Sequence, residues 1–338
     1  MERNIMKAIR EPISRLVPVE TPEKGNGQLS NTLTSGPSNG GVPLNDGPVG
    51  IARSDVSSHG SITERPLDDQ RQSPVRQTDV SNVICVVNRK GGVGKTTTAF
   101  NLAGVFAQKG QQVLLIDLDP MGSLCRSLGI RPHENALSDL LVGLGGSLGK
   151  LIRKTHIPNL FVIPGDPNLR TMEMRYGTSL EYRQALRGKL AEVLKWKPFP
   201  FVIIDCPPSL GLISGNALIA ASEALIPIDG SAYGMGALID TLGIIKLIQK
   251  NVNRDLSVCG LVLNNVDMST SYDQTVREVL KEQFKDLLFD TVIPNSPESD
   301  ICSQIGEPVI RYAPSSWMAK AYLQLSKELY ERCIERED

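Results

Sequence analysis

The sequence predicts an α/β domain, a mostly parallel sheet flanked by helices and preceded by a disordered N-terminal extension. Three observations predict it. From Asn82 onward, short β-branched apolar runs alternate with amphipathic stretches, the pattern of buried parallel strands joined by helices. The first run stops abruptly in a glycine-rich turn that passes at once into a helix-compatible stretch, Ala99 to Gln108. Two later runs end on aspartates, at the carboxyl edge where open α/β sheets hold their ligands.

The extension comes first in the chain. From Pro22 to Gln77 it is rich in Gly, Ser, Pro, Asn and Asp, with isolated apolar residues and no periodicity. Such a segment cannot bury enough surface to offset its ordering entropy, so 21–80 reads as a disordered linker. Ahead of it, Met6, Ile9, Ile13 and Leu16 recur at helical spacing among Lys7, Arg10 and Arg15. Residues 1–20 therefore carry a candidate amphipathic helix, weakened by Pro12, that serves as a docking peptide or is a plain tail.

The globular part spans 81–338. Its expected strands are Val83–Val87, Val113–Ile116, Leu160–Ile163, Phe201–Ile204, Ala224–Ile228, Ser257–Leu263 and Leu288–Ile293. Expected helices include Thr97–Gln108, Ser179–Leu194, Ala237–Lys250, Tyr272–Phe284 and a closing Ala319–Glu335. A hydrophobic content of 41% supports a sizeable core, while a net charge of −1 confines any nucleic-acid contact to a local patch. No apolar run approaches the length of a membrane span and the N-terminus has no uninterrupted apolar stretch. Neither a membrane partner nor a secretory leader is expected, and the cytoplasm is the expected compartment. The six cysteines show no C-x-x-C spacing, and several lie inside apolar runs. They read as small buried hydrophobes, with no metal or Fe–S centre expected from them.

The turn after the first strand reads Asn88-Arg89-Lys90-Gly91-Gly92-Val93-Gly94-Lys95-Thr96-Thr97. Strand, Gly loop and helix in that order are what a phosphate-binding loop requires. Gly91, Gly92 and Gly94 let backbone N–H groups converge on phosphate oxygens without Cβ interference. The helix that follows points its unsatisfied N–H groups at the same anion. Lys95 adds a point charge at the β- and γ-phosphates, and the Thr96 hydroxyl is a Mg²⁺ ligand. A first glycine is expected at position 89, where Arg stands, and a second lysine, Lys90, opens the loop.

Val113-Leu114-Leu115-Ile116-Asp117-Leu118-Asp119-Pro120 puts two carboxylates at the end of one strand, and Phe201-Val202-Ile203-Ile204-Asp205-Cys206-Pro207-Pro208 repeats the device on another. A single strand-end Asp serves equally well as a helix cap or turn residue. Two of them beside a phosphate loop point to Mg²⁺ instead. Asp205 fits an acceptor acting through water, and Asp117 and Asp119 are candidates to hold Mg²⁺ waters and orient the attacking water.

These residues resemble a ParA/MinD-type deviant Walker (SIMIBI) ATPase, and within that group the chain is most similar to ParA (Soj-like) partition proteins. The resemblance runs from about Asn82 to Leu329. Its carriers are Lys90 to Thr97, Asp117-Leu118-Asp119-Pro120, Asp205-Cys206-Pro207-Pro208-Ser209-Leu210-Gly211, Val292-Ile293-Pro294 and Ala319-Lys320-Ala321-Tyr322-Leu323. It implies a P-loop NTPase fold, ATP and Mg²⁺ as cofactors, and an ATP-dependent sandwich homodimer with nucleotide at the interface. Lys90 matches the signature lysine that reaches the other subunit's phosphates, neutralising transition-state charge as an arginine finger does. Asp119 matches the carboxylate of water positioning and the dimer switch. Hydrolysis in the family is slow alone and accelerated by a partner's basic N-terminal peptide. ParA dimers bind DNA without sequence preference, which implies nucleoid association and a ParB-like or cargo-adaptor partner. Asn264-Asn265, at a strand end, are candidates to contact the adenine base, although a turn role serves nearly as well, and Pro294 is a further candidate nucleotide-binding residue.

The chain departs from the family at several points. The usual Gln-Gly-Asn after Asp-Pro is Met121-Gly122-Ser123. After Pro294, where ParA proteins commonly carry DNA-contacting arginines, stands Asn295-Ser296-Pro297-Glu298-Ser299-Asp300, and Trp317 stands near the start of the last helix, where a basic residue is frequent. The remaining cation sets are Lys246, Lys250 and Arg254; Arg277, Lys281 and Lys285; and Arg311 and Lys320. Each serves equally as a solvated face or as part of a DNA surface. A partition ATPase and a positioning ATPase for protein cargo share these residues. A MinD-like membrane cycle is the less favoured alternative, because the ending Glu331-Arg332-Cys333-Ile334-Glu335-Arg336-Glu337-Asp338 is acidic and anionic lipid would repel it. The amphipathic stretch in 1–20 is left as its one support.

Overall fold

A computed structural model describes residues 81–131, 137–176, 181–267 and 269–333. The candidate helix in 1–20 and the 21–80 linker lie outside the described residues. In chain order the elements are β1 (Asn82–Val86), α1 (Lys95–Gln108), β2 (Val113–Asp117), α2 (Ser123–Ser127), α3 (Leu137–Leu141), β3 (Arg153–Lys154), β4 (Leu160–Ile163), α4 (Asn168–Tyr176) and α5 (Ala185–Trp196). There follow β5 (Phe201–Asp205), α6 (Leu212–Ala220), β6 (Glu223–Ile228), α7 (Ala232–Asn251), β7 (Ser257–Val266), α8 (Ser271–Gln283), β8 (Leu288–Pro294), α9 (Glu298–Ile305), α10 (Val309–Tyr312) and α11 (Trp317–Cys333).

One eight-stranded sheet takes the order β3-β4-β2-β5-β1-β6-β7-β8. All pairs are parallel except β3 with β4 at one edge. The fold class expected from the sequence is the one observed. Every residue of β2 and β5 is buried, as strands covered on both faces must be. β1 shows how the pleat divides the core. Ile84 and Val86 join the side chains of α1 and α11 on one face, while Val83 and Cys85 join those of α3 to α8 on the other. On the first face Phe106 stacks on Phe201 with ring centroids 4.1 Å apart, an aromatic pair that fixes α1 over β5.

Differences from the sequence expectation have local causes. The helix expected at Ser179–Leu194 starts later, at Ala185, after a 3₁₀ turn over Glu181–Gln184. Asn216 on α6 holds that junction: its Oδ1 accepts from the Leu186 N–H at 3.1 Å and its Nδ2 donates to the Tyr182 carbonyl at 2.8 Å. The helix expected from Ala237 begins at Ala232, because the Ser231 hydroxyl caps it by accepting from the Gly234 N–H at 3.0 Å. The two-residue edge strand β3 and the short helices α2, α3, α9 and α10 were too brief for periodicity to reveal.

Two glycines in helices give predictions of opposite sign. A Cβ at Gly104 in α1 would lie 2.5 Å from the Pro308 Cβ, whereas one at Gly188 in α5 meets nothing within 4 Å. Gly104→Val is expected to destabilise the domain by about 1–3 kcal/mol through overpacking, and Gly188→Ala to stabilise it by about 0.5–1 kcal/mol through helix propensity. Denaturant unfolding of both variants checks the pair; equal midpoints would contradict the packing described.

Candidate functional site

The strand order decides where the site lies. Placing β1 between β5 and β6 carries the glycine loop to the middle of the sheet's carboxyl edge, beside the end of β5 and one strand from the end of β2. Gly92 and Gly94 have φ of 76° and 84°, a left-handed backbone that a side chain resists. Gly94 is doubly constrained, since a Cβ there would sit 2.6 Å from the Asn264 Nδ2. That amide, at the end of β7, donates to the Val93 carbonyl and to the Thr98 hydroxyl, each at 3.0 Å. Asn264 thus ties the loop to the sheet, while its own Oδ1 is buried without a partner. From below, Asn88 sends its Nδ2 to the Pro227 carbonyl at 2.8 Å and accepts the Lys90 N–H at 2.9 Å.

The loop opens into a cleft of about 460 Å³ lined by Gly91, Gly92, Val93, Gly94, Lys95, Thr96, Thr97, Asp119, Asn264 and Pro294, with Met318 and Tyr322 of α11 on its wall. The Lys95 Nζ donates to the Lys90 carbonyl at 2.8 Å. Burial holds the Lys95 ammonium below its ordinary value, against the pull of Asp205 and Asp119. Lys90 turns elsewhere: its ammonium pairs with the Asp229 carboxylate and donates to the Ser231 hydroxyl at 2.7 Å.

Asp117 and Asp205 are register partners on β2 and β5 and both are fully buried. Burial pushes the Asp117 carboxyl up to about 6, opposed by N–H donation from Asp119 at 3.0 Å and Cys125 at 3.3 Å. Asp205 is held well above the ordinary carboxylate range by burial and then by Asp117, with the Thr96 hydroxyl beside it pulling the other way, and it receives no backbone N–H. The two acids are therefore unequal. Backbone N–H groups occupy Asp117, and Asp205 keeps free lone pairs next to Thr96, the donor set that a divalent cation takes. Asp119 stands at the cleft, one oxygen accepting the Met121 N–H at 2.9 Å.

All the loop residues named from sequence, together with Asp119, Asn264 and Pro294, meet in this cleft; Asp117 and Asp205 lie beneath it, and Lys90 faces away from it. Sequence reasoning missed Asp229, Ser231 and Tyr322. Asp229 ends the run Ala224-Leu225-Ile226-Pro227-Ile228, the same strand-end signal that revealed Asp117 and Asp205. Tyr322 belongs to a stretch that carries the family resemblance, Ala319 to Leu323, but nothing in that stretch points to the cleft.

A glycine loop between a buried strand and a helix N-terminus, with strand-end acids beneath, defines a phosphate-loop nucleotide-binding protein. The family model described as "AAA domain" matches residues 81–258. The sporulation initiation inhibitor protein Soj of Bacillus subtilis is 36% identical over 252 residues, covering 74% of this chain and 98% of that protein. The chromosome partitioning protein ParA of Caulobacter vibrioides is 34% identical over 257 residues, covering 75% and 96%. Among solved structures, cobyrinic acid a,c-diamide synthase from Mycobacterium smegmatis, with bound ATP analog and magnesium, aligns with a TM-score of 0.65 at 27% identity over 76% of this chain and 98% of that one. The chain belongs to the ParA/MinD-type family of P-loop ATPases.

Asn264→Ala removes the tether between β7 and the loop. It is expected to weaken nucleotide binding roughly tenfold, about 1.4 kcal/mol, in a titration with a fluorescent ATP analogue. An unchanged affinity would mean that the loop holds its shape without it.

Proposed function

We propose that this chain is an ATP-dependent partition ATPase. ATP and Mg²⁺ drive a homodimer, the dimer binds DNA without sequence preference, and a ParB-like protein stimulates hydrolysis. The observation that carries the reading is the pair of lysines. Lys95 lines the cleft, and Lys90 lies outside its lining on the loop's first turn, held by Asp229 and Ser231. A second lysine so placed suits contact with a nucleotide held by a second copy. Thr96 in the cleft and Asp205 beneath it, which lacks any backbone donor, also fit Mg²⁺. An ion held there would supply charge neutralisation at the phosphate oxygens. Gly91 to Thr97 bind the phosphates, and Asn264 and Pro294 border the space for the base. Asp119 orients the attacking water with the oxygen that does not hold Met121.

DNA contact needs cations in the open. Lys246, Lys250 and Arg254 are exposed on and after α7. Others are engaged: Lys281 pairs with Asp290 at 3.4 Å, Arg311 with Glu307 at 2.8 Å, and Lys320 lies 5.0 Å over the Trp317 ring. Glu298 and Asp300 occupy the first turn of α9, beside the cleft. That acidic turn favours one second reading, a positioning ATPase whose cargo is a protein and whose surface does not bind DNA. Under either reading the site is that of a cytoplasmic enzyme, and no membrane partner is needed.

Lys95→Ala is expected to abolish ATP binding, so retained micromolar-range affinity would refute the loop's role. Asp119→Ala is expected to keep ATP without turnover and to run as a persistent dimer on a sizing column; a monomer with ATP would remove Asp119 from the switch. The direct test is binding to random-sequence duplex DNA with ATP–Mg²⁺ or ADP, at two salt concentrations, with Lys90→Ala as control. Binding that needs ATP, weakens with salt and fails in the variant supports partition over DNA. Absence of binding in every state favours the protein-cargo reading.

A further inference from the structure

Three side chains far apart in sequence meet at the amino ends of the strands, the edge of the sheet opposite the cleft. Glu223 opens β6, Cys259 lies near the start of β7, and Cys333 is the last described residue of α11. Their ligand atoms, one carboxylate oxygen and two sulfurs, all lie within 4.8 Å of one another. We propose that Glu223, Cys259 and Cys333 form a binding site for a thiophilic divalent cation, Zn²⁺ by the chemistry of its donors.

The backbone supplies an independent reason. Ala224 pairs with Val258 and Leu225 with Gly260, so Cys259 is the extra residue of a β-bulge. A bulge leaves one residue out of the ladder and re-aims its side chain. Here the freed thiol donates to the Ala224 carbonyl at 3.3 Å, and its sulfur faces Cys333 and Glu223. Gly260, the next residue, is required by packing, because a Cβ there would lie 2.4 Å from the Phe289 ring. The bulge and the glycine together let β7 pass Phe289 while presenting the thiol to the cluster.

The surroundings suit a cation. The Ser257 hydroxyl donates to Glu223 and orients it, as a neighbouring donor does for a metal-binding carboxylate. Cys333 stands at the carboxyl end of α11, where the helix dipole is negative. The adjacent Arg332 does not compete for the acids, since its guanidinium donates to the Leu287 carbonyl at 3.1 Å and the Leu288 carbonyl at 2.8 Å. Tetrahedral zinc with Zn–S bonds of about 2.3 Å holds its two sulfurs about 3.8 Å apart, a spacing that donors already within 4.8 Å of each other reach by side-chain rotation. Mg²⁺ and Ca²⁺ prefer all-oxygen sites, and a carboxylate is a poor ligand for Cu⁺, which leaves Zn²⁺ as the fit.

The binding step balances. Zn²⁺ takes two thiolates, one carboxylate and one water, and two protons leave to solvent. The complex carries a charge of −1 where the cation, two thiols and carboxylate carried +1. No oxidant or reductant is involved. The site ties the end of α11 to β6 and β7, and α11 is the helix whose Met318 and Tyr322 line the nucleotide cleft.

The test uses the full chain, stripped of metal and reduced with a phosphine, and titrates Co²⁺ followed by Zn²⁺. A near-ultraviolet sulfur-to-Co²⁺ charge-transfer band, bleached by about one equivalent of Zn²⁺, is expected. An oxygen-only site at Asp205 gives no such band. Cys333→Ser, at a half-buried helix end, is expected to lose the band and to weaken Zn²⁺ binding roughly a hundredfold or more while still binding nucleotide. Glu223→Gln is expected to keep a sulfur band with weaker affinity, so the result does not depend on the buried Cys259 tolerating change. The proposal is overturned if the reduced chain shows no sulfur band, or if the band survives in Cys333→Ser. It is also overturned if the only chemistry found is a Cys259–Cys333 disulfide in the unreduced chain.

Discussion

The constraint on which the rest depends is a pair of carboxylates forced into register. Asp117 and Asp205 end adjacent, fully buried strands, where each disfavours the ionised form of the other and burial disfavours both. The fold resolves this asymmetrically. The turn after β2 gives Asp117 two backbone N–H donors, whereas Asp205 receives none and has only the Thr96 hydroxyl beside it. A buried acid so sparsely partnered is costly, and the positive groups that answer it, Lys95 and the cation suited to Thr96 and Asp205, are of the kind that would also draw phosphate oxygens. The electrostatic need of the sheet's interior and the need of a triphosphate are therefore complementary.

The loop's two lysines show the same coupling from the other side. Each charge is already satisfied inside the chain, Lys95 by a carbonyl and Lys90 by Asp229 and Ser231. Phosphate oxygens entering the cleft compete with a neutral carbonyl for Lys95, an exchange that charge favours. Lys90 lies outside the cleft lining and is held by a carboxylate that is itself partly buried, a stronger hold than a carbonyl gives. Lys95 thus lines the cleft, and Lys90 is tied to an acid outside it.

How much of this was legible in the sequence follows from which signals are local. The phosphate loop and Asp117, Asp119 and Asp205 were readable because a strand, a turn and a charge stand side by side in the chain. The same rule applied to Ile228-Asp229 would have found the partner of Lys90, but Asp229-Gly230-Ser231 also reads as an ordinary turn leading into a helix cap. Helix starts were misjudged where a side chain from another element fixed them, as Asn216 does for α5. No periodicity encodes a contact between residues 216 and 186. The antiparallel edge strand β3, two residues long, is too short to have a period.

The cysteines make the same point about metal sites. Spacing rules detect ligands that lie close along the chain, and no two cysteines here do. Cys259 and Cys333 come together only because β7 bulges by one residue and α11 runs the depth of the sheet. That helix begins beside the cleft, with Met318 and Tyr322 on its wall, and ends at the thiol cluster. Its buried face, Met318, Ala319, Tyr322, Leu325 and Leu329, packs into the same core cluster as the apolar side chains of α1, and this one helix spans the distance between the two edges of the sheet.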